Sequence, residues 1–143
     1  MRLSTKGRYA TRIMVCLAMQ KSDIPRRKHE IAESEGISAD YVEQILIRLK
    51  AAGLVDSHRG AKGGFTISGS PEKITVADVL QASEGPMAIV PCSKADCDRE
   101  TACVTREIWK LAETALNEVF GGHTIAGLAE KAQGMRESIL YDI

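Results

Sequence analysis

The sequence lacks the long apolar runs that would place it in a membrane or mark it for export. No stretch approaches the ~20 apolar residues that a membrane-spanning helix needs, and the first ten residues contain no signal-peptide core. Outside one short cysteine-containing segment, no acid–base or nucleophile constellation is present. These absences predict a cytoplasmic protein that is not an enzyme and has no membrane partner.

Net charge is also lacking, because 19 lysines and arginines balance 19 aspartates and glutamates. The charges are nevertheless unevenly distributed along the chain. Twelve basic residues stand against seven acidic ones through Lys62, and seven against twelve from Gly63 onward. A positive surplus confined to one half favours contact with a polyanion there. Chance clustering of charges is the alternative.

The order of predicted elements in the N-terminal half is typical of a winged helix-turn-helix. Apolar spacing predicts a first helix over about 7–20 and a short second helix that ends at Gly36. Ser38 is a good N-cap for a third helix, which we expect to end near Gly53. Strand-like runs flank the basic, glycine-rich residues 59–64 and predict a hairpin. We therefore expect a mostly α fold with a small β-hairpin.

The C-terminal half is predicted to contain a long dimerisation helix. A fourth helix ends at Gly85, a loop covers 91–102, and the long helix runs from about 101 to 120. Thr124 is expected to cap a short last helix, and the tail over 135–143 is expected to fold back against the protein. The apolar face of the long helix comprises Val104, Ile108, Leu111, Ala115 and Val119.

These patterns divide the chain into three expected segments. They are a winged helix-turn-helix DNA-binding domain over 1–85, a cysteine loop over 86–103, and a dimerisation helix with a C-terminal packing segment over 104–143. A length of 143 residues, 44% of them hydrophobic, is enough for one core with a dimerising arm. The apolar stripe is too long to remain exposed on a small domain, so we expect a homodimer.

The third helix is the candidate recognition helix for the major groove of a double-stranded DNA operator. Glu43 is suited to accept a hydrogen bond from cytosine N4, and Gln44 to pair with adenine. The alternative is that these polar residues only form a solvated helix face.

The hairpin supplies a second set of candidate DNA contacts. Arg59 is flanked by a glycine at the tip and is suited to a narrow minor groove. Lys62 and the backbone amides of Gly63 and Gly64 are suited to phosphates. Four basic residues of the first helix and its approach are expected to face phosphate too, unless they merely form a solubilising surface. They are Arg2, Lys6, Arg8 and Arg12.

Three cysteines form the second candidate site. Cys92, Cys97 and Cys103 are separated by four and five residues in a polar segment. Soft thiolates at this spacing suit an iron–sulfur cluster or zinc, and a fourth ligand must come from elsewhere. Three unrelated cysteines are the remaining alternative. Cys16, near the apolar stripe of the first helix, is expected to be a small buried hydrophobe.

Several short motifs, in a fixed order that spans nearly the whole chain, form a highly specific combination. They are residues 1–10, Ile37-Ser38 with Tyr41–Gln44, Gly53–Val55, Arg59-Gly60 with Gly63–Phe65, and the three cysteines. In these motifs the chain resembles the IscR-like transcription regulators of the Rrf2 family.

The resemblance implies a dimer built on the long helix, with a cluster in the cysteine loop that tunes DNA affinity. The cluster would be [2Fe–2S], with [4Fe–4S] as the other possibility, held by the three cysteines. The wing arginine of the family corresponds to Arg59. Its recognition-helix contacts correspond to Ser38, Tyr41, Glu43 and Gln44.

The fourth cluster ligand of the family does not carry over to this chain. Arg106 stands where IscR-like members place a histidine, and Arg8 stands where nitric-oxide-sensing members place an aspartate. Glu107 is the preferred candidate ligand, and Glu100, Asp96, Asp98, an exogenous ligand or a partner-chain residue are alternatives. The sulfur-metabolism branch of the family lacks the cysteines, so we expect it to be the less similar branch. Zinc or thiol oxidation at the cysteines is the alternative signal.

Overall fold

The computed structural model describes residues 3–20, 24–93 and 97–141. The candidate DNA-binding residue Arg2 and the candidate ligand Asp96 lie outside these ranges. The described part confirms the mostly α fold with a small hairpin. Its elements, with one 3₁₀ turn at Pro91–Ser93, are α1 (Thr5–Ala18), α2 (Lys28–Glu35), α3 (Ala39–Ala51), β1 (Val55–His58), β2 (Gly64–Ile67), α4 (Val76–Glu84), α5 (Arg106–Gly121) and α6 (Ile125–Tyr141).

Local signals fix the helix-turn-helix formed by α2 and α3. Helix α2 ends at Gly36, whose φ of 67° lies in the left-handed region that only glycine adopts without strain. The Ser38 hydroxyl then accepts a hydrogen bond from the Tyr41 amide at 3.2 Å, which caps α3. The turn and the cap together set the angle at which α3 leaves α2.

Helices α1 to α4 and the hairpin form the winged helix-turn-helix domain, which we call the head. One core joins the head to the first part of α6. The backbone amide of Ile125 donates to the Ile74 carbonyl at 2.8 Å, and the amide of Val76 donates to the His123 carbonyl at 2.9 Å. These bonds place the fully buried Ile125 side chain among apolar residues of α1 to α4. The largest other fully buried side chains are Ile13, Met14, Ile31, Val42, Ile45, Leu46, Leu49, Val55 and Val79.

The hairpin is antiparallel and is attached to the helix-turn-helix by backbone pairing. Its register pairs Val55 with Ile67 and His58 with Gly64. Arg26, just before α2, exchanges two backbone hydrogen bonds with Phe65 of β2, at 2.9 and 2.8 Å. The residue that precedes α2 therefore pairs with β2 and ties the hairpin to the helix-turn-helix.

The predicted start of α5 at about residue 101 is wrong, because the helix begins at Arg106. The preceding residues form four-residue turns, closed by hydrogen bonds between residues i and i+3, instead of helical turns. The amide of Glu100 donates to the Cys97 carbonyl, and that of Arg106 to the Cys103 carbonyl. Helical bonding begins only where the Trp109 amide donates to the Thr105 carbonyl at 3.3 Å.

The expected short last helix and folded-back tail are also wrong. Helix α6 has 17 residues, because it continues through Gly134, which is tolerated inside a helix at a cost of about 1 kcal/mol. Its second half is exposed, with Ile139 at 63% and Leu140 at 72% of full exposure. No helix in the described residues is long and apolar enough to cross a membrane.

Candidate DNA-binding surface and cysteine segment

Helix α3 presents its polar face to solvent, as expected of a recognition helix. Glu43 and Gln44 are exposed near its N-terminus. Tyr41 is half-buried, and its ring meets that of Tyr9 edge-on at 6.0 Å. Ser38 uses its hydroxyl as the cap, so a phosphate contact there would share an oxygen that already accepts a hydrogen bond.

Glu43 has a partner that the sequence did not indicate. The Lys28 ammonium at the start of α2 donates to Glu43 Oε2 at 2.6 Å. This hydrogen bond raises the pKa of Lys28, with a further contribution from the charge of Asp40. Both side chains remain partly exposed, at 30% and 48%. The Glu43 carboxylate is therefore bound by Lys28 of α2 and remains partly exposed to solvent.

The wing, which is the hairpin formed by β1, β2 and the turn between them, carries exposed positive charge at its tip. Arg59 and Lys62 are exposed, and Gly63 is half-buried. The tip is held from the head because the Arg27 guanidinium donates to the Ala61 carbonyl through a short hydrogen bond. Across the strands, His58 Nε2 and Thr66 Oγ1 lie 2.8 Å apart.

The basic residues of α1 that the structure describes have different surroundings. Lys6 lines a shallow groove with Tyr41, Gln44 and Arg48, which puts it beside the recognition helix. Arg12, in contrast, donates to the carboxylate of Glu35 at 2.8 Å and to its carbonyl at 2.9 Å. Arg8 is exposed.

The described part of the cysteine segment shows three thiols in different settings. Cys92 is exposed on the 3₁₀ turn, while Cys97 and Cys103 are half-buried. Cys103 Sγ and Thr105 Oγ1 are hydrogen-bonded at 3.4 Å, and this bond is the main reason that the pKa of Cys103 is lowered. A lowered pKa favours the thiolate, which is the form that binds metal or reacts.

The residues around Cys103 bear on a fourth ligand. Arg106 forms an ion pair with Glu100 at 2.5 Å, which occupies the carboxylate of one alternative ligand. Glu107 is exposed in the first turn of α5. Among the residues that the structure describes, no three His, Cys, Asp or Glu side chains are gathered around a metal-sized site. The donor chemistry fits a thiophilic metal or cluster, and binding would require the three thiols to converge.

Cys16 confirms the prediction of a buried thiol, with 4% of its surface exposed. Burial raises its pKa, and the Arg26 guanidinium donates to its sulfur at 2.6 Å. It lies on α1, apart in sequence from the cysteine segment, and we assign it a packing role.

Sequence reasoning overlooked Arg27 and Lys28 as partners of the DNA-reading elements. The available signal was the basic run Arg26–Lys28 immediately before a short helix. A charge run of this kind is usually interpreted as a solvated or phosphate-facing surface, so its internal contacts became evident only in three dimensions.

Comparison with known proteins identifies the family. The family model for Rrf2, described as iron-dependent transcriptional regulator, matches residues 3–131. The chain is 36% identical over 143 residues to the HTH-type transcriptional regulator CymR of Bacillus subtilis (strain 168), with full coverage of both chains. It is 31% identical over 144 residues to the HTH-type transcriptional regulator IscR of Vibrio campbellii, covering all of this chain and 86% of that one.

A solved structure confirms the winged helix-turn-helix architecture. The structure of CymR, described as the global cysteine regulator of B. subtilis, matches with a TM-score of 0.78 at 37% identity, covering 92% of this chain and 98% of that chain. Because CymR is described as a cysteine regulator, its overall identity to this chain does not support the expectation that the sulfur-metabolism branch would be the less similar one. These relatives are named as transcription regulators and not as enzymes. The chain belongs to the Rrf2 family of DNA-binding transcription regulators.

Proposed function

We propose that this regulator reads an operator with α3 in the major groove and the wing in the minor groove. The observation that carries this proposal is the shared exposure of Glu43 and Gln44 on α3 and of Arg59 and Lys62 on the wing. Major-groove base edges offer the donors and acceptors that Glu43 and Gln44 can pair with. A narrow A·T-rich minor groove attracts an arginine such as Arg59.

We propose further that two copies associate through α5. Within the described residues, no side chain of this helix is buried. Ile108, Leu111 and Val119 retain 58%, 62% and 55% of their full exposure. An apolar stripe of this length is typical of a surface that another protein chain covers. A homodimer would present two heads to half-sites about one helical turn apart.

The signal that we propose is an iron–sulfur cluster held by Cys92, Cys97 and Cys103. The first candidate is a [2Fe–2S] cluster, and the second is a [4Fe–4S] cluster. Support comes from the donor set, from the lowered pKa of Cys103, and from the family description as iron-dependent. When bound, a cluster would supply covalent ties between the segment after α4 and the start of α5. An arginine cannot ligate iron, so Glu107 is our candidate for the fourth ligand in place of Arg106.

A second candidate signal is thiol oxidation or zinc at the same cysteines. The exposed Cys92 and the lowered pKa of Cys103 favour this alternative. The likeness to a regulator described as a cysteine regulator adds to it. DNA binding through the winged head is common to both candidates.

Anaerobic reconstitution separates the two signals. A red-brown protein with visible absorption bands and matching iron and sulfide contents supports the cluster. A colourless protein that binds one zinc ion, or none, supports the alternative. The triple variant that replaces Cys92, Cys97 and Cys103 by alanine should lose the bands, and Cys16→Ala is the matched control that should retain them.

The DNA surface is tested by titrating a duplex obtained by in vitro selection with the purified regulator. Arg59→Ala should weaken binding, because it removes both a charge and a minor-groove contact. Lys73→Ala removes the same charge from an exposed position outside the proposed surface and serves as the matched control. Equal affinities of wild type and Arg59→Ala would refute the role of the wing arginine.

A further inference from the structure

Three consecutive basic residues, Arg26, Arg27 and Lys28, contact both DNA-reading elements of the head. We call them the brace segment. The segment enters α2 and lies between the wing and the recognition helix. Each residue uses a different group and has a different partner, which distinguishes the brace segment from a run of solvated charges.

Arg26 fixes the segment to the head and to the wing strand. Its backbone exchanges hydrogen bonds with Phe65 at 2.9 and 2.8 Å. Its guanidinium donates to the sulfur of Cys16 at 2.6 Å and to the Cys16 carbonyl at 3.4 Å. The approach to β2 is close, because a Cβ added at Gly64 would lie 2.6 Å from the Arg26 carbonyl oxygen. Position 26 is therefore a fixed point.

Arg27 reaches from this fixed point to the tip of the wing. Its guanidinium donates to the carbonyl of Ala61, which lies between Arg59 and Lys62. A two-stranded hairpin is only marginally stable by itself, so a side-chain bond at its tip restricts where the tip can lie. A guanidinium already engaged with a carbonyl is also less available to a phosphate.

Lys28 reaches in the other direction, to the recognition helix. Its ammonium lies 2.6 Å from Glu43 Oε2 and holds that carboxylate from the α2 side. Glu43 would otherwise be a free negative charge approaching a phosphate-lined groove. Pairing lowers this repulsion and restricts the rotamers from which Glu43 can accept a hydrogen bond from a base.

We propose that Arg27 and Lys28 are positioning residues that set the wing tip and the Glu43 carboxylate relative to each other. The inference rests on the proposed DNA surface and adds residues that act through Arg59 and Glu43. The brace segment would thus couple minor-groove to major-groove reading and contribute to specificity for the operator. Direct phosphate contacts by the same two side chains are the competing explanation.

Double-mutant cycles on the full-length protein distinguish these explanations. The probe is a duplex obtained by in vitro selection, compared with duplexes altered at single base pairs. The variants are Lys28→Gln, Glu43→Gln and their combination, and Arg27→Gln, Arg59→Ala and their combination. Lys73→Gln is the charge-matched control, and Lys28→Arg is the conservative variant. Circular dichroism and thermal unfolding of each variant verify that the head is folded.

If Lys28 acts through Glu43, Lys28→Gln lowers discrimination at the base pair read by Glu43 by roughly two- to fivefold, the range that an exposed ion pair supports. The effect disappears in the Glu43→Gln background, the salt dependence is unchanged, and Lys28→Arg restores discrimination. Likewise, Arg27→Gln weakens binding in the wild-type background and has little further effect with Arg59→Ala.

Direct phosphate contact gives a different pattern, which would overturn the proposal. Each substitution would then weaken binding to all duplexes alike, add fully to the second substitution, and reduce the salt slope by about one. If Glu43→Gln and Arg59→Ala themselves change nothing, the proposed DNA surface fails and the positioning role fails with it. If those two act and the brace variants are additive, only the positioning role fails.

Discussion

The attachment of α6 to the head gives a quantitative prediction about stability. Ile125 is fully buried, and Ile125→Ala removes three buried carbon atoms. At about 0.8 kcal/mol for each carbon, the lost transfer free energy is about 2.4 kcal/mol. The cavity left behind raises the expected loss in unfolding free energy to about 3–4 kcal/mol, inside the range for such substitutions.

Ile139→Ala is the matched control, because the same side chain is 63% exposed in the second half of α6. We expect it to cost about 0.5 kcal/mol in the protomer. Both variants are unfolded in urea and followed by circular dichroism. The measurement is repeated at tenfold higher protein concentration, so that a contribution from dimerisation is seen as a concentration dependence. Equal losses for the two variants at low concentration would refute the placement of Ile125 in the head core.

Three further predictions concern the dimer, the wing and the buried thiol. Leu111→Glu should convert a dimer to a monomer in analytical ultracentrifugation, and a wild-type monomer at micromolar concentration, free and on DNA, would contradict the α5 interface. Gly64→Ala should weaken DNA binding, because the φ of 153° is strained for any residue with a Cβ and an added Cβ would overlap the Arg26 carbonyl. Wild-type affinity of this variant would argue against the close pairing of Gly64 with Arg26. Burial raises the pKa of Cys16 and lowers its thiolate fraction at pH 7, so iodoacetamide should label Cys92 and spare Cys16 until the chain unfolds; mass spectrometry of the native protein checks this.

The sequence was most informative where structure is decided locally. Ser38 as a cap and Gly36 in a left-handed turn need only their immediate neighbours, and both are found where the pattern predicts them. The hairpin was likewise evident from the glycines that flank its basic tip. These signals depend on backbone geometry and on one or two hydrogen bonds within a few residues.

The elements around the cysteine segment were harder to predict, because competing local bonds decide them. Residues 101–105 have a composition compatible with a helix, yet four-residue turns delay the start of α5 to Arg106. The last helix was expected to be short, yet α6 continues through Gly134, because a single glycine does not stop a helix that its neighbours support.

Contacts between residues distant in sequence are the part of the site that periodicity does not encode. Lys28 and Glu43 are fifteen residues apart, and Arg27 and Ala61 thirty-four. Arg12 donates hydrogen bonds to Glu35, twenty-three residues away, a contact that the sequence did not indicate. In each case the sequence specified the charge and the element, and the fold determined the partner.

The most direct test of the central proposal is a pair of binding curves on the same selected DNA duplex, measured with the reconstituted and the cluster-free protein under anaerobic conditions. A cluster tied to Cys92, Cys97 and Cys103 can change DNA affinity only by favouring one arrangement of the two heads over another. We expect the two curves to differ by roughly 1–3 kcal/mol, which is about 5- to 150-fold in affinity. Identical curves across all selected duplexes would contradict regulation by a cluster at this segment.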